Sequence, residues 1–267
     1  MSIEPVVASE GWGVLHLFFH FRREYLSQPA SAAKDFPVRM EVFNGQAEYQ
    51  AIAFSVLGQK ADLGLMLLGP DLAKLDAFAV ELAASPLGAA LLPAASYVSM
   101  TELSEYTSTE EDEIRRLVEQ EGLAEGSAEL EAQLGAWRTR MADYQEHRLH
   151  PKLPAKKVLS FYPMSKRRAG EDNWFTLPFE DRKRLMGGHA RVGMTYRGRV
   201  LQLITGSTGL DDWEWGVTLL ADDPKVLKDI VYEMRFDEVS ARYGEFGPFV
   251  TGLIMEPADL MEHLQIR

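Results

Sequence analysis

Apolar runs recur in the same order in the two halves of the chain. Paired runs begin at Gly13 and Lys157, at Leu63 and Trp215, and at Ser96 and Gly247. After the runs that begin at Leu63 and Trp215, apolar residues recur at helical spacing over 73–82 and 225–234. The offset between paired runs stays at about 144–152 residues, so loops vary while the order is kept. The pattern predicts strand–helix–strand–strand–helix–strand in each half, the split βαβ or ferredoxin-like motif.

The segment between the halves, 107–150, has a different pattern. Its part 110–135 holds nine acidic residues and only two arginines, with a sparse apolar face. Capping-box spacings at Ser108 and Thr109 predict a helix start, and Gly122 and Gly126 predict a break. We therefore expect three parts: an N-terminal ferredoxin-like half (1–106), a connector of two outer amphipathic helices (107–150) and a C-terminal half (151–267).

Composition excludes several classes of protein. The chain has no cysteine, which rules out disulfides, cysteine-ligated zinc, iron–sulfur clusters and thiolate haem ligation, and which fits a cytoplasmic location. No apolar run reaches the ~20 residues that span a bilayer, and Met1-Ser-Ile-Glu-Pro5 has no secretory-signal pattern. The net charge of −12 argues against nucleic acid or an anionic membrane as a partner.

One basic stretch departs from this acidic background. Residues 147–170 hold seven lysines and arginines and no acid. A solvated surface is one interpretation, and a site for a small polyanion is the other. A long nucleic acid fits less well, because the surrounding negative field would repel it.

His189 is the histidine placed most like a ligand. Residues 179–194 have helical spacing, and His189 shares its inward face with Leu185 and Gly193. Gly187 and Gly188 precede it directly, although each costs about 1 kcal/mol against alanine within a helix. A hydrogen-bonded core histidine is the alternative interpretation.

Common catalytic motifs are absent. The chain has no phosphate-binding loop of the G-x-x-x-x-G-K-[ST] type and no G-x-S-x-G nucleophile elbow. A zinc site from His16, His20, His147 and His150 stays open as a weak alternative, since no carboxylate has the accompanying spacing.

The remaining polar residues suit an anionic haem. Tyr162 and Lys166 stand four residues apart in the basic stretch and would share one face of a strand, although Pro163 weakens that strand. Gln202 follows on a later strand, and Arg235 and Ser240 lie near the end of the last long helix. A neutral axial nitrogen, a phenol and carboxylate-binding groups are what a haem with propionates requires.

At these residues the sequence resembles the chlorite dismutase-like superfamily, and within it most closely the coproheme decarboxylases of Gram-positive-type haem synthesis. The close match covers Arg148 to the last strand, and the first half is similar mainly in its pattern. The motifs that carry the resemblance are Tyr162-Pro-Met-Ser-Lys-Arg-Arg168, Asp172-Asn-Trp174, His189, Gln202-Leu-Ile-Thr-Gly-Ser207, Gly209-Leu-Asp-Asp-Trp-Glu-Trp-Gly-Val217 and Tyr232-Glu-Met-Arg-Phe-Asp-Glu-Val-Ser-Ala-Arg-Tyr-Gly-Glu-Phe-Gly247.

The resemblance implies an α+β fold in which two ferredoxin-like halves form a dimeric α/β-barrel unit, with antiparallel sheets and outer helices, assembled as a homopentamer. It implies that Fe-coproporphyrin III (coproheme) is both substrate and cofactor. Hydrogen peroxide would drive oxidative decarboxylation of two propionates to vinyl groups, giving protohaem (haem b). This would be the last step of the coproporphyrin-dependent pathway of haem biosynthesis. A transient contact with the upstream ferrochelatase is also expected.

The resemblance also implies roles for single residues. His189 matches the axial iron ligand, Tyr162 the redox-active tyrosine and Lys166 the lysine beside the reacting propionate. The expected porphyrin-binding residues are Arg148, Tyr162, Pro163, Met164, Ser165, Lys166, Gln202, Arg235 and Ser240.

Gln202 stands at the distal position, where true chlorite dismutases carry an arginine, so chlorite chemistry loses its main electrostatic support. A chlorite dismutase or haem peroxidase, a non-catalytic haem carrier and a purely structural protein are the alternatives. Gly187 and Gly188 depart from the family pattern, in which bulkier helix formers are expected.

Overall fold

The computed structural model describes residues 3–267, so part of the N-terminal segment examined for a secretory signal lies outside it. The described chain contains nine strands and eight α-helices. The strands are β1 (Gly13–Phe21), β2 (Gln50–Val56), β3 (Leu63–Gly69), β4 (Leu91–Thr101), β5 (Val158–Lys166), β6 (Val200–Gly206), β7 (Trp215–Ala221), β8 (Gly244–Phe246) and β9 (Val250–Ile254). The helices are α1 (Pro29–Asn44), α2 (Leu72–Ala83), α3 (Glu110–Glu119), α4 (Ala128–Leu149), α5 (Phe179–Met194), α6 (Pro224–Met234), α7 (Glu238–Tyr243) and α8 (Pro257–His263).

The two halves have the same strand order. The first half forms the sheet β4-β1-β3-β2, and the second forms β6-β7-β5-β9, with every pairing antiparallel. This is the ferredoxin-like order in both cases. The halves are joined twice, by β4 with β6 and by β2 with β9, so the eight strands close on themselves. The predicted fold class, a duplicated α+β unit with a barrel-like sheet and outer helices, is confirmed.

The inner face of the closed sheet is a packed aromatic and aliphatic core. Phe18, Phe54 and Phe161 are 3%, 0% and 3% exposed and come from both halves. Gly64 and Gly252 both lie against the ring of Phe54, so a side chain at either position would overlap it. Each half therefore buries one sheet face against the other half, as two half-apolar sheets require.

The outer faces are covered by helices. In the first half α1, α2 and α8 bury apolar side chains on the sheet. In the second half α6 packs on the sheet through Leu227 and Ile230, and α5 contacts α6 and α7. None of the described helices combines the length and the apolar character needed to cross a membrane.

The connector contains α3 and α4. Thr109 caps α3 in a reciprocal capping box with Asp112, and Ser127 caps α4. Gly122 and Gly126 adopt φ of +73° and +71° between the two helices, a backbone region that favours glycine. The connector also contacts α5, because Lys183 Nζ lies 2.6 Å from Asp112 Oδ2.

Candidate functional site

His189 of α5 and Asp237, the residue that caps α7, form a hydrogen-bonded pair. Nδ1 of His189 lies 2.8 Å from Oδ2 of Asp237, and the imidazole is 21% exposed. Asp237 also caps α7 by accepting from the backbone N–H groups of Val239 and Ser240. Burial raises the pKa of Asp237, but hydrogen bonds from His189 and Ser240 outweigh it and hold that pKa at about 2. The ionised carboxylate orients the ring, and within residues 3–267 Nε2 has no hydrogen-bond partner.

Tyr162 lies on the face of β5 that is turned toward the helices. Its side chain is 5% exposed and stacks on Phe249 with ring centres 4.3 Å apart. Burial raises the pKa of Tyr162 to about 12, so the phenol keeps its proton at neutral pH. Strand alternation puts Met164 and Lys166 on the same face, whereas Pro163 and Ser165 lie on the opposite one.

Lys166 is a buried lysine on the same strand face as Tyr162. It is 7% exposed, and its ammonium nitrogen lies 5.0 Å from the ring centre of the buried Trp174. Within residues 3–267 this ammonium forms no salt bridge. Burial lowers the pKa of Lys166 to about 8, against the opposing effect of Asp237 and Glu214. An anionic group entering here would find an unpaired positive charge.

Glu214 fixes the end of β5. Its Oε2 accepts from the backbone N–H of Lys166 at 2.8 Å, and its other oxygen pairs with Arg168. Glu214 is 6% exposed, and its hydrogen bond goes to the main chain of Lys166 and not to the ammonium.

Gln202 lies on β6 against the end of α5. Its Nε2 donates to the carbonyl oxygen of Gly193 at 3.1 Å. Because Gly193 is one helical turn beyond His189, the amide and the imidazole belong to the same region between sheet and helix.

Arg148 lies at the end of α4 beside β6. Its Nη2 donates to the carbonyl oxygens of Glu102 and Ile204 at 3.2 and 3.4 Å, which are long hydrogen bonds. Its Nε is buried with no partner in the described chain. Arg148 therefore has donor capacity left for an anion.

The last two sequence-predicted residues differ in their setting. Ser240 is half-buried in the first turn of α7, next to the Asp237 cap. Arg235 is exposed at the end of α6, with its guanidinium carbon 5.9 Å from the ring centre of Tyr232. The structure thus does not bring Arg235 into the buried cluster.

The basic stretch does not form one surface. Lys156 pairs with Asp222 at 2.7 Å, and Arg167 lies 3.6 Å from Asp172. Lys166 is the member that turns inward. Of the members that form no salt bridge in the described chain, Lys152 and Lys157 are exposed, whereas Lys166 is buried and Arg148 is half-buried. The polyanion interpretation therefore depends chiefly on Lys166 and Arg148.

The four histidines of the zinc alternative are not brought together. His16 is fully buried inside the barrel, where its Nε2 lies 2.9 Å from Thr218 Oγ1, whereas His20 and His150 lie nearer the surface beside Asp62 and Glu146. Residues 3–267 contain no group of three or more metal-ligating side chains.

Sequence reasoning assigned no role to three residues of this site: Asp237, Trp174 and Glu214. Asp237 is 48 positions from His189, and no local pattern connects residues so far apart. Asp237 precedes Glu238-Val-Ser240 as a helix-capping residue would, so the sequence could have predicted the start of a helix there. It could not have predicted the contact of Asp237 with the imidazole of His189.

The chain is similar to known proteins both in sequence and in fold. The family model described as chlorite dismutase matches residues 22–255. A solved structure of a novel haem-binding protein from Thermus thermophilus is 35% identical, with a TM-score of 0.77, covering 99% of this chain and 100% of that one.

Two structures of chlorite dismutase from Candidatus Nitrospira defluvii are more distant in sequence. A mutant form is 16% identical with a TM-score of 0.71, and the complex with imidazole is 15% identical with a TM-score of 0.70. Both comparisons cover 96% of each chain, and at this identity they show the fold alone.

Proposed function

The chain belongs to the chlorite dismutase family, and we propose that it is a coproheme decarboxylase within that family. It would bind Fe-coproporphyrin III between α5 and the outer face of the second sheet. With hydrogen peroxide as oxidant it would convert two propionates to vinyl groups and release protohaem.

The side chains present suit an iron porphyrin. Histidines that ligate metals usually direct their second ring nitrogen to a carboxylate, which sets the tautomer and raises ligand basicity. His189 has this arrangement, with Asp237 on Nδ1 and Nε2 free. His189 would therefore hold the iron through Nε2, and Gln202 would supply a neutral amide near the bound group.

The observation that carries the proposal is that Lys166 and Tyr162 share one strand face, and that within residues 3–267 the buried lysine forms no salt bridge. A buried positive charge without a partner is costly, so its retention favours an anionic ligand. Coproporphyrin carries four propionates, and Lys166 and the unsatisfied Nε of Arg148 would each pair with one.

The bound iron porphyrin would supply oxidising equivalents from peroxide. Tyr162 would give up the hydrogen on its phenol oxygen and recover one from the propionate carbon next to the ring. The pKa of Tyr162 lies well above neutral, so the phenol hydrogen is available throughout the neutral pH range. Lys166 would orient the carboxylate, which would leave as CO₂ when the second oxidising equivalent of the same peroxide takes the remaining electron, so that one peroxide is reduced to water for each vinyl group formed.

Chlorite dismutation or peroxidase activity is the second candidate, on the strength of the family alone. Gln202 argues against chlorite chemistry, because a neutral amide stabilises an oxyanion less than a cation does. A haem carrier would not need Tyr162. The homopentamer and the contact with ferrochelatase stay predictions of the resemblance.

The test is Tyr162→Phe with iron-coproporphyrin and titrated peroxide, followed by mass spectrometry of the porphyrin. The substitution removes one hydroxyl and almost no volume, so binding should survive. We expect little or no protohaem, and slow bleaching of the ring instead. Tyr49→Phe is the matched control, because Tyr49 is similarly buried but lies in the core of the first half. Protohaem formed by Tyr162→Phe at the wild-type rate would refute the role of this tyrosine.

A further inference from the structure

The face of the second sheet that carries Tyr162 continues across β7 to Gly206 of β6. In the pairing of β5 with β7, Tyr162 lies opposite Val217 and Met164 lies opposite Trp215. In the pairing of β6 with β7, Trp215 lies opposite Gly206. Directly opposed residues of antiparallel strands share one face of the sheet. Trp215 and Gly206 therefore belong to the face on which the proposed porphyrin would lie.

Glu102 occupies the space that a side chain at position 206 would fill. A Cβ built on Gly206 would overlap Oε2 of Glu102, and Nε1 of Trp215 donates to Oε1 of Glu102 at 3.1 Å. The absence of a side chain at Gly206 thus lets the carboxylate lie against the strand. Glu102 directly follows β4 and is exposed as a whole, so it stands at the solvent edge of this face with its carboxylate turned toward the sheet.

The charges around Glu102 come from Arg148 of α4 and from Glu105. Arg148 donates to the main-chain carbonyl oxygen of Glu102, and within residues 3–267 the Glu102 carboxylate forms no salt bridge. Glu105 adds a second negative charge, which is paired with Arg182 at 3.7 Å. Burial of the carboxylate raises the pKa of Glu102, and this effect outweighs the hydrogen bond from Trp215 and the charge of Arg148.

We propose that the carboxylate of Glu102 binds a proton when an anionic porphyrin enters the site. The inference rests on the proposed function for its ligand, because it takes a propionate to pair with Arg148, whose Nε is buried with no partner in the described chain. Since Arg148 also contacts Glu102, that propionate would lie close to the Glu102 carboxylate. When two carboxylates share one site, the pKa of one of them rises strongly. The propionate has the arginine as its partner, so the proton goes to Glu102.

This linkage has a measurable signature. Above the pKa of Glu102 in the free protein, the affinity for iron-coproporphyrin falls by up to about tenfold per pH unit, because binding requires one proton more. At one pH unit above that pKa, Glu102→Gln should bind about tenfold more tightly than wild type, since its amide carries no charge. The pKa of Lys166 is about 8, so this lysine is already protonated in the free protein at about pH 6.5 and contributes little to proton uptake there.

The experiment counts the protons that accompany binding of iron-coproporphyrin. Titration calorimetry at about pH 6.5, in two buffers of different ionisation enthalpy, gives this number. Glu102→Gln keeps the shape of the side chain and an oxygen that accepts from Trp215, so the variant should fold as wild type does. We expect wild type to take up more protons per porphyrin than Glu102→Gln, by at most about one. Glu262→Gln is the matched control, because Glu262 is an exposed carboxylate on α8 of the first half, and it should behave as wild type.

The tetraester of iron-coproporphyrin provides a second arm, because it has the same ring and no ionisable carboxylate. Its binding to wild type should add no proton to Glu102, so wild type and Glu102→Gln should give the same count with it. A wild-type excess that is as large with the tetraester as with the free acid would overturn the electrostatic cause. Equal proton uptake by wild type and Glu102→Gln, with iron-coproporphyrin bound by both, would overturn the role of Glu102 alone. Failure of wild type to bind iron-coproporphyrin would overturn the proposed function and this inference with it.

Discussion

Replacing Lys166 by methionine should stabilise the porphyrin-free protein and impair its ligand binding. Methionine keeps the unbranched shape of the side chain and removes the buried charge. The ammonium has no salt bridge in the described chain, so its removal breaks no ion pair and ends a desolvation penalty. The same change takes away the cation that would meet a propionate.

The size of the effect follows from the pKa. The pKa of Lys166 falls from 10.5 to about 8 on folding, which at about 1.4 kcal/mol per pH unit corresponds to about 3 kcal/mol. Between these two values the unfolded chain binds the proton more tightly, so the free energy of unfolding rises with pH. Below pH 8 the lysine is protonated in both the folded and the unfolded chain, so folding carries the full cost of burying the charge. The gain from Lys166→Met should therefore be on the order of 2–3 kcal/mol at pH 7 and should vanish above about pH 10.

Urea unfolding at pH 7 and pH 10 measures this directly. Lys228→Met is the matched control, because it changes the net charge equally at an exposed position of α6 and should shift stability by less than about 0.5 kcal/mol. Iron-coproporphyrin affinity of Lys166→Met should fall by about 1.5–3 kcal/mol, the worth of a hydrogen bond to a charged group. Destabilisation by Lys166→Met at pH 7 would show that the ammonium is satisfied in the folded state, and the reasoning would be wrong.

Four further outcomes are expected. His189→Ala should weaken iron-porphyrin binding and shift its visible spectrum; an unchanged spectrum would mean another ligand. Asp237→Asn should alter the same spectrum while costing about 1 kcal/mol of stability through the weakened α7 cap, whereas a stability loss without spectral change would limit Asp237 to capping. Arg148→Ala should lower iron-coproporphyrin affinity but leave affinity for the propionate tetraester unchanged, and equal losses for both would place the anion elsewhere. Burial lowers the pKa of His16 to about 3, so the free energy of unfolding should fall between about pH 6.5 and pH 3, where only the unfolded chain binds the extra proton. His16→Leu should make thermal stability less dependent on pH in this range. An unchanged pH dependence in the variant would assign the loss of stability to carboxylates.

The sequence alone determined the local elements and the duplicated order. Helix α5 has the bounds that its apolar spacing predicted, and the strand–helix order of each half is the one observed, because both depend on periodicity within a single element. The capping box at Thr109 likewise depends on residues four positions apart or fewer. The net charge and the absence of cysteine, which are also read directly from the sequence, excluded disulfides and cysteine-ligated metals and argued against nucleic acid as a partner.

The tertiary structure decided how these elements meet. Closure of the sheet through β4 with β6 and β2 with β9 joins strands far apart in the chain, which no local pattern encodes. The packing of α5 on α7 brings Asp237 to His189 across 48 positions. The burial of β5 encloses Lys166, which forms no salt bridge in the described part of the chain. Sequence spacing fixes which face of an element a side chain occupies, but the packing of separate elements decides which charges are paired, and with them the chemistry of the site.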